Sequence, residues 1–248
     1  MYNPFSLEGK TILVTGASSG IGRASAIECS KMGGIIIACG RNKDRLSETL
    51  DMLNGSQHSS FIGDLTDDLV VDKLVDEMPS VDGVVLSAGR GFTSPLIYSN
   101  RKSFQDVFNS NFFSNAEVLR LLAKKRKLKP NSSVVIIVSI GGTKSFGPGN
   151  SVYGTAKAAL DSLIRYAAIE FSNKKIRVNG ISPGMTETPL IQGGVFTKEQ
   201  LQKDMMQYPL KRYGQPEEIA KGAVYLLSDA ASWVTGHTLV IDGGFSAK

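Results

Sequence analysis

The stretch TILVTGASSGIG, residues 11–22, decides the fold. Thr11 to Val14 is a β-branched and apolar run that reads as a strand. It passes into Thr15-Gly16-Ala17-Ser18-Ser19-Gly20-Ile21-Gly22, a glycine-rich turn that opens a helix. Strand, tight turn and helix in this order form a dinucleotide-binding context. Gly16 permits the turn, Gly20 lets backbone approach a pyrophosphate, and Gly22 lets helix and sheet pack closely. The free N–H groups of the helix start, around Ser18, Ser19, Gly20 and Ile21, offer partial positive charge to the phosphates. The spacing is G-x-x-x-G-x-G, and the flanking elements give the glycines their meaning.

Working outward, strand and helix patterns alternate to the end of the chain. Further strands read at 35–39, 61–62, 81–87, 134–139, 177–181 and 238–241. Helices read at 22–32, 44–54, 69–78, 103–127, 151–173 and 217–227. Such alternation implies right-handed crossovers and a mostly parallel sheet covered on both faces. The expectation is an α/β fold, a doubly wound Rossmann-type sheet, as a single domain over residues 1–248. Residues 184–215 fit the alternation poorly, and long connections in compact domains often serve as lids.

Composition agrees with a globular chain. Of 248 residues, 26 are Gly, above the ~7% that is usual, which suits many tight turns. Two Cys and two His leave little for a disulfide framework or a His-rich metal site, so no metal is expected. Cys29 and Cys39 read as small apolar residues. No apolar run reaches the ~18 residues of a membrane span, and the first residues lack a signal-like core. The chain reads as cytoplasmic. The net charge of +5 suits an anionic ligand without specifying one. The cluster Lys124, Lys125, Arg126, Lys127 and Lys129 reads as a solvated helix end closed by Pro130, with no nucleic-acid partner expected, since no recognition module accompanies it.

The second strand ends near Cys39, where an adenosine ribose would lie. The tip reads Gly40-Arg41-Asn42-Lys43, with no acid before Asp44. Arg41 could pair with a 2′-phosphate through charge-assisted bonds, which favours NADP(H); a solvated surface Arg would read the same. Asp64 could accept from an adenine amino group, or serve as a turn residue ahead of Asp67.

Tyr153 and Lys157 stand at i and i+4 on one helix face. A nearby ammonium stabilises a phenolate, and lowering a Tyr pKa by ~3 units needs about 4 kcal/mol. Ser139 reads at the C-terminal end of the fifth strand, where such sheets bind ligands. Its hydroxyl could hold a carbonyl beside Tyr153, or simply end the strand ahead of Gly141 and Gly142.

Taken in order, these pieces resemble the short-chain dehydrogenase/reductase family, from Leu7 to Phe245. Asp64-Leu65-Thr66-Asp67 is similar to its adenine-binding motif. Leu86-Ser87-Ala88-Gly89 stands where the family usually has Asn-Asn-Ala-Gly. Asn111 lies where its helical Asn lies. Ser182-Pro183-Gly184-Met185-Thr186-Glu187-Thr188 resembles its nicotinamide motif, and Thr235-Gly236 with Asp242-Gly243-Gly244 its closing strand. In length and ending the chain also resembles 3-oxoacyl-carrier-protein reductases, although Arg90-Gly91-Phe92-Thr93 departs from their usual Ile-Thr-Arg-Asp.

The resemblance implies Tyr153 as general acid or base, Lys157 on the ribose and beside the Tyr, Ser139 on the carbonyl, and Asn111 in a water-linked proton relay. It places Gly16, Ser18, Ser19, Gly20, Ile21, Gly22, Arg41, Asp64, Leu65, Ala88, Gly89, Tyr153 and Lys157 on the cofactor. It adds the backbone of Ile181 to Met185, with Pro183 and Gly184, and the hydroxyls of Thr186 and Thr188 on the carboxamide. Two departures stand out besides Ser87. Ser139 to Tyr153 is one position longer than usual, which the Gly141–Asn150 loop would absorb. Arg41 after Gly40 matches the NADP-preferring pattern.

The expected activity is hydride transfer between NADP(H) and a carbonyl or secondary alcohol, a 3-oxoacyl thioester, sugar, steroid or small alcohol. A non-catalytic NADP(H) sensor would have no need of Ser139, Tyr153 and Lys157. An apolar lid is expected from Met185, Leu190, Ile191, Val195, Phe196, Leu201, Met205, Met206 and Tyr208, and a homotetramer follows from the resemblance.

Overall fold

The computed structural model describes residues 2–189 and 197–247. Seven strands form one parallel sheet: β1 (Thr11–Thr15), β2 (Ile35–Gly40), β3 (Ser59–Ile62), β4 (Val81–Leu86), β5 (Leu128–Ile137), β6 (Arg177–Pro183) and β7 (Thr238–Ile241). Their order across the sheet is β3-β2-β1-β4-β5-β6-β7. The order reverses between β1 and β4, and there the crevice beyond the strand ends opens to a ligand.

The central strands are apolar throughout because both faces are covered. Alternation divides each strand between two cores. Ile12 and Val14 of β1, with Val135 and Ile137 of β5, face one side. There they meet Ala26 and Cys29 of α1 (Gly20–Lys31) and Ile219, Ala223 and Leu227 of α8 (Pro216–Leu227). Leu13, Val134 and Ile136 face the other side. Their partners include Leu74 of α3 (Asp68–Glu77), Leu122 of α5 (Ser114–Lys124) and Leu160 and Ile164 of α6 (Ser151–Glu170). The helix α2 (Lys43–Asp51) follows β2, with Asn42 capping it through a bond from the Arg45 N–H. Each buried side chain of this size contributes roughly 1.5–3 kcal/mol.

Several expected bounds shift by two or three residues, and two elements differ more. The helix expected at 103–127 runs from Arg101 and is divided into α4 (Arg101–Phe108), a π turn (Asn109–Phe113) and α5. It stops at Lys124, with Arg126 in the left-handed region at φ 57°, so Pro130 does not close it. Pro130 lies instead inside β5, which begins at Leu128 because Leu128 pairs with Val81, and ends at Ile137, two residues before Ser139. Three of the five residues in the basic cluster are tied to neighbouring elements, while Lys124 and Arg126 stay exposed. Lys125 pairs with Asp72 and Asp76 at 2.7 and 2.8 Å, Lys129 with Asp82 at 2.8 Å, and Lys127 donates to the Asp76 and Met78 carbonyls. Among the described residues no helix is long and apolar enough to cross a membrane, and no group of His, Cys, Asp and Glu could hold a metal ion.

Candidate active site

The glycine-rich turn lies at the reversal of strand order. Gly16 has φ +67°, and a Cβ on it would come within 2.9 Å of the Ser87 carbonyl oxygen at the end of β4. A Cβ on Gly22 would overlap the Gly16 carbonyl. Two side chains pull the turn's carbonyls backwards. The Thr49 hydroxyl donates to Ala17 O at 2.9 Å, and the Arg23 guanidinium donates to Ser18 O at 2.8 Å. Ser19 precedes α1 without a side-chain cap, and the first turn carries no acid. The first N–H groups of α1 are therefore open to an anion. Arg23 also bonds the Arg45 carbonyl and Glu48, so it ties the turn to α2. Sequence reading missed Arg23 and Thr49, because α2 meets the turn only in the folded chain and no local pattern announces the contacts.

At the adenosine end, Gly40 closes β2, and a Cβ there would stand 3.3 Å from both Cβ and Oγ of Ser18. Arg41 is exposed and reaches Asp64 at 3.5 Å. Partial burial alone would raise the Asp64 pKa, but bonds from the Thr66 amide and hydroxyl and the charge of Arg41 outweigh it, and the net shift is downward. Asp64 is thus both a turn residue, bonded to Thr66 N at 3.0 Å, and a carboxylate at the expected rim. Leu65 is buried beside it.

The reacting groups converge beyond β4 and β5. Lys157 is buried, and its Nζ donates to the Ile137 carbonyl at 2.8 Å. Burial lowers its pKa to about 8. Its Nζ lies 5.8 Å from the centre of the Tyr153 ring. Burial raises the Tyr153 pKa, opposed by a hydrogen bond from the Ser139 hydroxyl. Desolvation of the phenolate outweighs that hydrogen bond, so the net shift of Tyr153 is upward rather than the expected depression. Ser139 Oγ accepts from the Gly141 N–H at 3.0 Å, leaving its own proton to donate.

Between Ser139 and Tyr153 the chain makes a tight turn. The Ile140 carbonyl accepts from the N–H groups of Thr143, Lys144 and Ser145. Gly142, at φ +90°, packs directly on the Gly154 backbone, where a Cβ would overlap the Gly154 carbonyl. That contact fixes the Ser139 loop against the helix turn bearing Tyr153.

Asn111 lies fully buried in the π turn. Its Oδ1 accepts from the Arg90 N–H, its Nδ2 donates to the Arg90 carbonyl, and the Asn115 amide donates to the Asn111 and Ala88 carbonyls. The widened turn lets both Asn side chains reach the strand-end loop. A Cβ on Gly89 would meet Asn111 Oδ1 at 2.5 Å and Lys157 Nζ at 3.7 Å, so Ala88 and Gly89 pass between these groups.

The segment after β6 approaches the glycine-rich turn. Pro183 is buried, and a Cβ on Gly20 would meet the Thr188 methyl at 3.2 Å. The Thr186 hydroxyl donates to the Gly184 carbonyl at 3.0 Å, so its proton serves the turn. Glu187 N–H donates to Gly214 O, and Gly214 N–H to Met185 O. The helix α7 (Lys198–Met205) follows, capped by Thr197 and Gln200. Leu201 and Met205 on it are half-buried and Met206 is exposed. Tyr208 does not line an opening: it is buried against Tyr213 and Phe245, and its hydroxyl accepts from the Met185 N–H at 3.0 Å. Leu190, Ile191, Val195 and Phe196 lie outside the described residues.

The residues fit a dinucleotide: an uncapped helix start, backbone cradles that a Cβ would fill, and a buried cation beside a Tyr. The enoyl-(acyl carrier protein) reductase family profile matches residues 16–246. The 7α-hydroxysteroid dehydrogenase of Escherichia coli K12 is 32% identical, over 96% of this chain and 94% of that protein. The 3-oxoacyl-[acyl-carrier-protein] reductase of Thermotoga maritima is 30% identical, over 96% and 98%. A crystal structure from Beutenbergia cavernae, with NADP at low occupancy, superposes with a TM-score of 0.89 at 29% identity, covering 99% of this chain and 100% of that one.

Proposed function

Because the chain belongs to the short-chain dehydrogenase/reductase family of NAD(P)(H)-using oxidoreductases acting on carbonyls and alcohols, we propose that it is an NADP(H)-dependent ketoreductase. The observation that carries this reading is the juxtaposition of Ser139, Tyr153 and buried Lys157 beside an uncapped helix start. A purely sensing protein would have no use for that trio. The named relatives act on a steroid in one case and an acyl-carrier thioester in the other, so their names do not select a substrate.

When bound, the nicotinamide supplies the hydride, and the chain supplies orientation and protons. The turn at Gly16, Ser18, Ser19, Gly20, Ile21 and Gly22 would hold the pyrophosphate. Asp64 and Leu65 would flank the adenine, and Ala88 and Gly89 the adjoining ribose. Pro183, Gly184, Thr186 and Thr188 would hold the carboxamide. NADP(H) is favoured because Gly40 offers no carboxylate, a side chain there would crowd Ser18, and exposed Arg41 is free to turn from its long 3.5 Å pairing to a 2′-phosphate.

Ser139 Oγ, already accepting from Gly141, donates to the substrate carbonyl oxygen. Tyr153, kept protonated by burial, gives that oxygen its proton, which suits the reductive direction. Lys157 has two Nζ protons beyond the one on Ile137 O, enough to hold ribose hydroxyls. Asn111 and its π turn would anchor the route by which Lys157 exchanges protons with water. Residues 184–215 would close over the substrate.

A cytoplasmic homotetramer completes the reading. Phe113 at the π turn, Tyr166 and Ile169 on α6, and Trp233 ahead of β7 are large apolar side chains left exposed, as buried subunit contacts would require.

The test is NADPH oxidation with a panel of ketones by wild type and Tyr153→Phe. The variant should bind NADPH as wild type does and lose turnover by about 100-fold or more, as removal of a proton donor does. Turnover unchanged in the variant, or failure of wild type to bind either nucleotide, would reject the reading.

A further inference from the structure

Ser139 can hold a carbonyl only if its hydroxyl is held in place, and a second hydroxyl on the same loop contributes to that. β5 ends at Ile137, which pairs with Ile181, so Ser139 lies two residues past the strand. The N–H groups on either side of it remain tied to β6: Val138 donates to the Ile181 carbonyl at 2.8 Å and Ile140 to the Pro183 carbonyl at 3.1 Å. Thr143 folds back over this run, and its Oγ1 donates to the Ser139 carbonyl at 2.7 Å. The alternative acceptor, the Ile140 carbonyl, lies farther off at 3.4 Å and already receives three N–H groups.

The Ser139 carbonyl and the Ile140 N–H belong to one planar peptide unit. Thr143 holds one end of that unit and Pro183 the other. The Ser139 side chain depends on it, because Oγ accepts at 3.0 Å from the Gly141 N–H, which belongs to the next peptide unit along. A turn of the clamped unit would swing that N–H and the hydroxyl bonded to it. Thr143 is itself tethered: its N–H donates to the Ile140 carbonyl at 3.1 Å, and its Oγ1 lies 3.4 Å from Ser182 Oγ. With the Thr143 proton on the Ser139 carbonyl, Ser182 is the donor in that contact. Ser182 is buried in β6, next to Pro183.

We propose that Thr143 is a positioning residue that acts through Ser139: its hydroxyl fixes the peptide unit from which the Ser139 side chain is aimed at the substrate carbonyl. The inference rests on the ketoreductase reading and adds a residue to its machinery.

The test measures NADPH oxidation with whichever ketone of the panel wild type reduces fastest. The proteins are wild type, Thr143→Val, Thr143→Ala and Thr143→Ser. Val keeps the shape and loses the hydroxyl, and Ser keeps the hydroxyl. Expressing kcat per NADPH site, counted by calorimetric titration, removes unfolded protein from the comparison. A neutral hydrogen bond corresponds to about five- to tenfold, so kcat should fall by that factor in the Val and Ala variants. KM for NADPH should stay within about twofold, and Thr143→Ser should recover most of kcat. A merely structural role would lower the melting temperature and the number of sites and leave kcat per site unchanged. That result overturns the inference and leaves the ketoreductase reading standing. A fall that Thr143→Ser does not recover overturns it too, as does a fall matched by an equal rise in KM for NADPH, which would place the effect on the β6 segment through Ser182. No turnover of any ketone by wild type overturns the ketoreductase reading and the inference with it.

Discussion

Asn111 holds Arg90 by both of that residue's backbone polar groups, accepting from its N–H at 3.2 Å and donating to its carbonyl at 3.1 Å. The side chain thereby acts as a strand-like partner for this part of the loop that leaves β4. Asn111→Leu removes both partners of the part-buried Arg90 backbone groups, at about 1 kcal/mol each. Urea denaturation should register the loss, and kcat/KM should fall with it as Gly89 shifts against Lys157. Asn111→Asp keeps the acceptor and sets an oxygen against the Arg90 carbonyl, so it should recover part of the stability only.

Arg41 is exposed and holds Asp64 at 3.5 Å, a pairing worth little in water. Its replacement should leave the fold intact. A charge-assisted bond to a phosphate is worth more, so Arg41→Ala should weaken NADPH binding by about 10- to 100-fold and leave NADH within about twofold. Calorimetric titration of both nucleotides checks this. Equal losses for both would refute the assignment to a 2′-phosphate.

Lys157 carries a buried charge whose pKa falls from 10.5 to about 8 through desolvation. Between those values the unfolded chain still binds the proton that the native chain has released, so stability rises with pH across that window. The shift corresponds to about 3 kcal/mol. Lys157→Met should abolish turnover and yet melt higher than wild type at pH 7. The gap should narrow as pH climbs from 8 toward 10.5. A gap constant with pH would mean that Lys157 is not the group responsible.

Tyr208 accepts from the Met185 N–H while its ring rests on Phe245, with centroids 4.7 Å apart. Burial raises its pKa to about 12, so the hydroxyl keeps its proton at any working pH. Tyr208→Phe leaves the ring contacts and orphans the Met185 amide, at about 1–3 kcal/mol. The melting temperature should drop, and KM for the nucleotide should rise as the Pro183–Thr188 segment loosens. An unchanged KM alongside the lower melting temperature would limit Tyr208 to a structural role.

Read from the chain alone, the alternation of strands and helices, the glycine-rich turn and the spacing of Tyr153 and Lys157 were already legible, whereas Asn111 entered only through the family resemblance. Those features are local: a periodicity, a spacing of four on a helix, a turn that only Gly can make. The tertiary structure decided the rest. The π turn exists because Asn111 and Asn115 bond a loop some twenty residues away in sequence. Leu128 to Asn131, poor strand formers, extend β5 because Leu128 pairs with Val81. Lys125 and Lys129 look like a free basic cluster until α3 and β4 bring Asp72, Asp76 and Asp82 to them. Arg23 and Tyr208 reveal their partners only once remote segments pack. A sequence shows what each residue can bond, but which carbonyl, carboxylate or amide a long side chain reaches is set by how distant elements share one core, and burial then fixes the charges of Tyr153 and Lys157.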